Sequence, residues 1–194
     1  MKLQKLPKIS PGDATIWFDV EGVLIEKSIT QYLFKYKPTT VFKSLLKGFV
    51  KALAEKIHNP RENFIENFIN SYKRSYEKEM NASEMYRLGQ RIFEAQSGKN
   101  RRDLFHLFKI LKEDNYELCL ITNTKKEIVE GFLDQLPEEL RIDPKNVFTL
   151  PEYFTTSKNT PKQKSVIVDY LKASYGKKVI GIGDTREDEE ALKH

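Results

Sequence analysis

The stretch Ala14-Thr15-Ile16-Trp17-Phe18-Asp19-Val20-Glu21-Gly22 decides how this 194-residue chain is read. Five residues, four of them β-branched or aromatic, run into an acid, and a Gly turn follows at once, the pattern of a buried strand that ends at a polar edge. Two further stretches repeat it. YELCLITN (116–123) ends at Thr122-Asn123-Thr124, and KKVIGIGD (177–184) ends at Gly183-Asp184-Thr185, with Asp188 four residues after Asp184. NVFTL (146–150) reads as a shorter strand. Helical patterns separate these strands. One carries Leu104, Phe105, Leu107, Phe108 and Leu111, the next runs from Lys125 to Leu136, and SVIVDYLKASYG (165–176) is the last. Such alternation predicts an α/β fold, a Rossmann-like parallel sheet with helices on both faces.

Between the first strand and the rest lies a long helical insert. Phe42, Leu45, Leu46, Phe49, Val50, Leu53 and Ile57 recur at spacings of three and four, with Lys43, Lys47 and Lys51 opposite. Later helices carry Phe64, Phe68, Ile69 and Tyr72, then Met85, Leu88, Ile92 and Phe93, and GKN at 98–100 punctuates the block. The expected division is a discontinuous core of 1–26 and 98–194 around an insert of 27–97. The insert's first long helix is expected to pack its apolar face on the other insert helices and leave its lysines in solvent. Attraction of those lysines to an anionic surface, a membrane or a polyanionic substrate, is the second reading.

Composition narrows the classes. With 39% hydrophobic and 31% charged residues, 12 Phe and 9 Tyr, the chain has enough core material to fold. No apolar run approaches the ~18 residues of a membrane span, and the Pro-bearing, charged start is unlike a secretory signal. The lone Cys119 excludes an internal disulfide and any multi-Cys zinc site. A soluble protein of a reducing compartment, the cytoplasm, is expected. The net charge of +5 is uneven: seven lysines between Lys27 and Pro60 face only Glu55, while Glu187, Asp188, Glu189 and Glu190 crowd the other end. Aromatics at helical spacing suit a core better than base stacking, so no nucleic-acid partner is expected. Oligomeric state is left open.

In open parallel sheets, ligands bind beyond the carboxyl ends of the strands, where the strand order reverses. Asp19, Glu21, Asp184 and Asp188 would meet there with the hydroxyl of Thr122. Crowded carboxylates raise one another's pKa unless a cation joins them. An oxygen-only set suits Mg²⁺ and suits zinc poorly, since His58 and His106 lie on helices and His194 at the terminus. A metal-bound phosphate beside a free carboxylate invites nucleophilic attack and an aspartyl-phosphate. Asp184 and Asp188 also suit an N-terminal cap on a final helix, a role compatible with metal binding.

Taken in order, these segments resemble the four motifs of the haloacid dehalogenase superfamily. WFDVEGVL (17–24) resembles the first, LCLITN (118–123) the second, PKQKSVIVDYL (161–171) the third and VIGIGDTREDEEAL (179–192) the fourth. The insert's place, between the first two motifs, resembles the phosphoserine-phosphatase-like branch with a helical cap. The resemblance implies a Mg²⁺-dependent phosphatase acting on a small phosphorylated substrate. Asp19 would be the nucleophile and Glu21 the general acid/base, with its backbone carbonyl toward the metal. Thr122, the Asn123 amide and the Gly22 turn would bind phosphate, and Asp184 and Asp188 would hold Mg²⁺. A lysine would neutralise charge: Lys164 first, Lys162 second, Lys158 third. Glu21 stands where Asp is usual, as in the enolase-phosphatase branch, and Val23 where Thr is usual. Both motivate an alternative, a catalytically weak domain that binds a phospho-ligand or partner; a membrane-peripheral lipid-phosphate phosphatase is another. The family's core continues into another strand after the fourth motif, so the core is expected to be one strand short or the sequence cut.

Overall fold

The structure, a computed structural model, describes residues 14–61, 63–153, 160–175 and 178–193. Strands β1 (Ala14–Phe18), β2 (Glu117–Thr122), β3 (Val147–Thr149) and β4 (Lys178–Ile182) form one parallel sheet in the order β3-β2-β1-β4. All of β1 is buried, as expected of a central strand covered on both faces. Phe18 pairs in register with Leu120 on one side and Ile182 on the other. β1 and β4 therefore end level, β2 runs two residues further to Thr122, and the order reverses between β1 and β4.

Alternation along the strands splits the core in two. Ile16, Phe18, Leu118 and Leu120 join one cluster, while Trp17, Cys119 and Ile121 join the other. Helix α8 (Thr160–Tyr175) covers the second face with Ile167, Val168 and Leu171. Helices α5 (Gly98–Glu113) and α6 (Lys126–Leu133) contribute to the first, and so does α4 (Ala82–Ala95) from the insert. The short α7 (Leu150–Tyr153) follows β3, and α9 (Arg186–Leu192) follows β4.

Several boundaries differ from the sequence reading. GKN at 98–100 is the first turn of α5 and not a break, because the Ser97 hydroxyl caps it by accepting the Asn100 amide at 3.1 Å. The strand expected over 146–150 is shorter, since a 3₁₀ turn from Pro144 runs up to it and Leu150 already opens α7. Helix α8 starts five residues earlier than its apolar pattern, because Pro161 is tolerated in a first turn. Lys164 therefore lies inside the helix and not at its start.

The insert holds α1 (Ile29–Tyr36), α2 (Pro38–His58), α3 (Phe64–Glu79) and α4. Pro38 begins a new helix directly after α1. Helix α4 lies against α6 so closely that a Cβ on Gly89 would sit 2.1 Å from the Ile128 carbonyl oxygen, and one on Gly131 would sit 2.0 Å from that of Tyr86. The expectation for α2 is met in part: it packs on another insert helix and its lysines lie in solvent, but the face it buries is not the expected one. Its buried residues are Val41, Ser44, Gly48 and Ala52, and a Cβ on Gly48 would come 2.9 Å from the Tyr72 amide nitrogen of α3. Small side chains allow the helices to close at this seam. Of the apolar pattern, Leu45 is partly buried against the core, and the other large residues are left outside, from Leu53 at 44% exposed to Phe42 at 71%.

Candidate active site

The site lies where β1 and β4 end. Asp19 directly follows β1, and its amide donates to the Ile182 carbonyl at 3.0 Å, binding the two strand ends together. The chain then folds back: Leu24 and Ile25 donate to the Val20 carbonyl at 3.0 and 2.8 Å, and Gly22 donates to that of Ile25 at 2.9 Å. Gly22 adopts φ +82°, which L side chains rarely accept. A Cβ there would also lie 1.9 Å from an Asp184 carboxylate oxygen. Glycine at 22 thus serves both the turn and the room Asp184 occupies.

Helix α8 carries Lys164 into this corner, only 2% exposed. Its Nζ donates to Asp19 Oδ2 at 2.8 Å and to Asp188 Oδ1, and lies 5.8 Å from the centre of the Trp17 ring. The other oxygen of Asp19 accepts the Val20 amide at 2.7 Å, so the carboxylate is held at both ends. The other oxygen of Asp188 accepts from the Thr185 amide at 3.1 Å and hydroxyl at 2.7 Å, forming the capping box that starts α9.

The charges pull against burial. Burial pushes the Asp19 carboxyl above the ordinary carboxylate range, Lys164 opposes the rise, and the Asp188 charge adds to it. Burial acts on Asp188 in the same sense, but hydrogen bonds from Lys164 and Thr185 prevail and hold it below that range. For Lys164, burial works against the charge, and attraction to Asp19 and Asp188 outweighs it, so the ammonium keeps its proton.

One oxygen from each of Asp19, Asp184 and Asp188 lies within 4.8 Å of the others. Among the described residues no hydrogen-bond donor engages the exposed Asp184 carboxylate. Two carboxylates thus share one buried ammonium, the third, Asp184, lies beside them without one, and the available ligand atoms are all oxygen. That set fits a hard divalent cation such as Mg²⁺.

Glu21 is close in sequence but its carboxylate turns elsewhere. Oε1 accepts the Thr124 hydroxyl at 3.2 Å, and Oε2 accepts the amide of Ile29, the first residue of α1, at 3.0 Å. Thr122, buried at the end of β2, accepts the Thr124 amide at 3.2 Å and donates its hydroxyl to that of Thr124 at 3.2 Å. A hydroxyl relay thus connects Thr122 to Glu21. Asn123 is half-buried beside it, Lys162 is exposed, and Lys158 lies outside the described residues. The lysine that meets the aspartates is Lys164.

Sequence reasoning assigned nothing to Thr124, Thr185 or Trp17. Thr185 carried a signal, since Thr-x-x-Asp before a helix is a capping-box pattern. Thr124 and Trp17 carried none, because their contacts cross between elements.

The family model for haloacid dehalogenase-like hydrolases matches residues 14–194, from the first residue of β1 past the acidic turn after β4. No curated protein matches the sequence. A match over nearly the whole chain, on a sheet that gathers these acids where its strand order reverses, makes this chain a member of the haloacid dehalogenase-like hydrolases.

Proposed function

We propose that the chain is a Mg²⁺-dependent phosphatase that hydrolyses a small phosphomonoester through an aspartyl-phosphate on Asp19. The observation that carries this reading is the buried Lys164 ammonium fixed 2.8 Å from Asp19, beside two more aspartates near enough to share a cation. A carboxylate oxygen of Asp19 attacks phosphorus as the bond to the leaving oxygen breaks, and Glu21, once its carboxylate turns from the Ile29 amide and the Thr124 hydroxyl toward the crevice, supplies that oxygen with a proton. Glu21 then takes a proton from water as the water's oxygen attacks phosphorus, freeing phosphate and restoring Asp19. Thr122 and the Asn123 amide donate to the phosphoryl oxygens, and Lys164 offsets negative charge in a transition state that needs positioning more than covalent help. Asp19, Asp184 and Asp188 would hold Mg²⁺, which when bound supplies further positive charge to the phosphate. The insert serves as a cap that closes over the crevice and contacts the rest of the substrate, as in the phosphoserine-phosphatase-like branch.

The test is phosphate release from a panel of sugar, amino-acid and nucleotide monophosphates, with and without Mg²⁺. Turnover that needs Mg²⁺ and falls at least about 10³-fold in Asp19→Asn is expected. An Asp19→Asn protein that works at the wild-type rate would overturn the reading. Binding of a phosphorylated compound with no turnover would make the chain a phospho-ligand-binding domain instead.

A further inference from the structure

We propose that the outer face of α2 docks the chain on an anionic lipid surface. At 100° per residue, Phe42, Leu46, Phe49, Val50, Leu53 and Ile57 fall within one arc of the helix about 100° wide. All six are exposed. From Phe42 to Ile57 the stripe runs about 22 Å along the helix. A continuous apolar stripe of that length on a surface marks a place where something binds.

The neighbouring residues say what covers it. Lys43, Lys47 and Lys51 occupy the arc next to the stripe and not the one opposite it, between the stripe and the seam with α3; all three are exposed, although Lys47 pairs with Glu79 of α3 and Lys51 lies 4.0 Å from Glu55. Over residues 27–60 seven lysines stand against one acid, Glu55. Two such faces brought together in a homodimer would repel. An anionic bilayer neutralises the lysines and takes up the apolar side chains, which is how interfacial helices bind. No described helix is long and apolar enough to cross a membrane, so α2 lies in the plane of the interface. The glycine seam fits this arrangement, because Ser44, Gly48 and Ala52 hold α2 on α3 without using its large side chains.

The proposal is independent of the reaction proposed above, since vesicle binding is read without substrate. Flotation of the 194-residue chain with vesicles of phosphatidylcholine alone, or with three-tenths phosphatidylglycerol, tests it. Binding to the anionic vesicles is expected, at least about tenfold tighter than to neutral ones and weakening with salt. Leu46→Glu with Val50→Glu should abolish it. Lys43→Gln with Lys51→Gln leaves the stripe intact and should weaken binding about 25-fold, at roughly fivefold per lysine. All four positions are exposed, and circular dichroism checks that each variant is folded. Absence of binding to either vesicle overturns the proposal. So does binding that ignores both the lysines and phosphatidylglycerol. Self-association that Leu46→Glu with Val50→Glu abolishes, without any vesicle binding, would give the face to a second copy.

Discussion

Helices α2 and α4 belong to the same insert, and each closes on its partner helix through a glycine, yet they dispose of their large apolar side chains in opposite ways. In α4, Gly89 shares a face with Met85, Leu88, Ile92 and Phe93, so the close approach to α6 buries the whole set. In α2, Gly48 lies on the far side of the helix from Phe42, Leu46 and Leu53, and the approach to α3 leaves them outside. Amphipathic spacing says which residues share a face. The position of the small residues decides which face meets the neighbour.

The largest effect expected from this contrast is on the α4 side. Leu88 is buried in the main core cluster, and Leu88→Ala should cost about 2–5 kcal/mol of stability, read from the urea midpoint. Leu46, similarly spaced on α2 but 59% exposed, is the control at the small end. Next comes Gly89→Ala. Its new Cβ would press on backbone and not on a yielding side chain, and a loss of about 1–3 kcal/mol is expected by the same measurement. A neutral Gly89→Ala would mean the α4–α6 crossing can open at no cost, and the contrast with α2 would lose its basis. Leu46→Ala should change stability by no more than about 0.5 kcal/mol. A loss near that of Leu88→Ala would show that the outer face of α2 is covered within the folded chain.

The same distinction explains what could be read from the sequence. β1, β2 and β4 are continuous apolar runs that stop at polar residues, and those stops point to Asp19, Thr122 and Asp184 before any coordinates. β3 is read from NVFTL with one residue too many at each end, because a 3₁₀ turn and a helix close on the three residues that pair. The first turn of α8 was missed because PKQ has no apolar periodicity. Lys162 and Lys164 could not be separated by motif, but two residues along a helix are about 200° apart, so only one can face Asp19. The outward turn of α2 was hidden for a related reason: the spacing was right, and the partner surface was supplied by Tyr72 of another helix. Thr124 matters only because the end of β2 lies beside the loop after β1, a neighbourhood that strand pairing creates.

The bond from the Ile29 amide to Glu21 has a mechanical consequence. Ile29 is the first residue of α1, and α1 is the root of the insert. The Glu21 carboxylate is therefore held between the first residue of that helix and a hydroxyl, that of Thr124, beside the end of β2. Rotation of α1 far enough to break the 3.0 Å bond would leave Glu21 tethered on the sheet side alone and free to turn toward the crevice, whereas α1 in its present position keeps it parked.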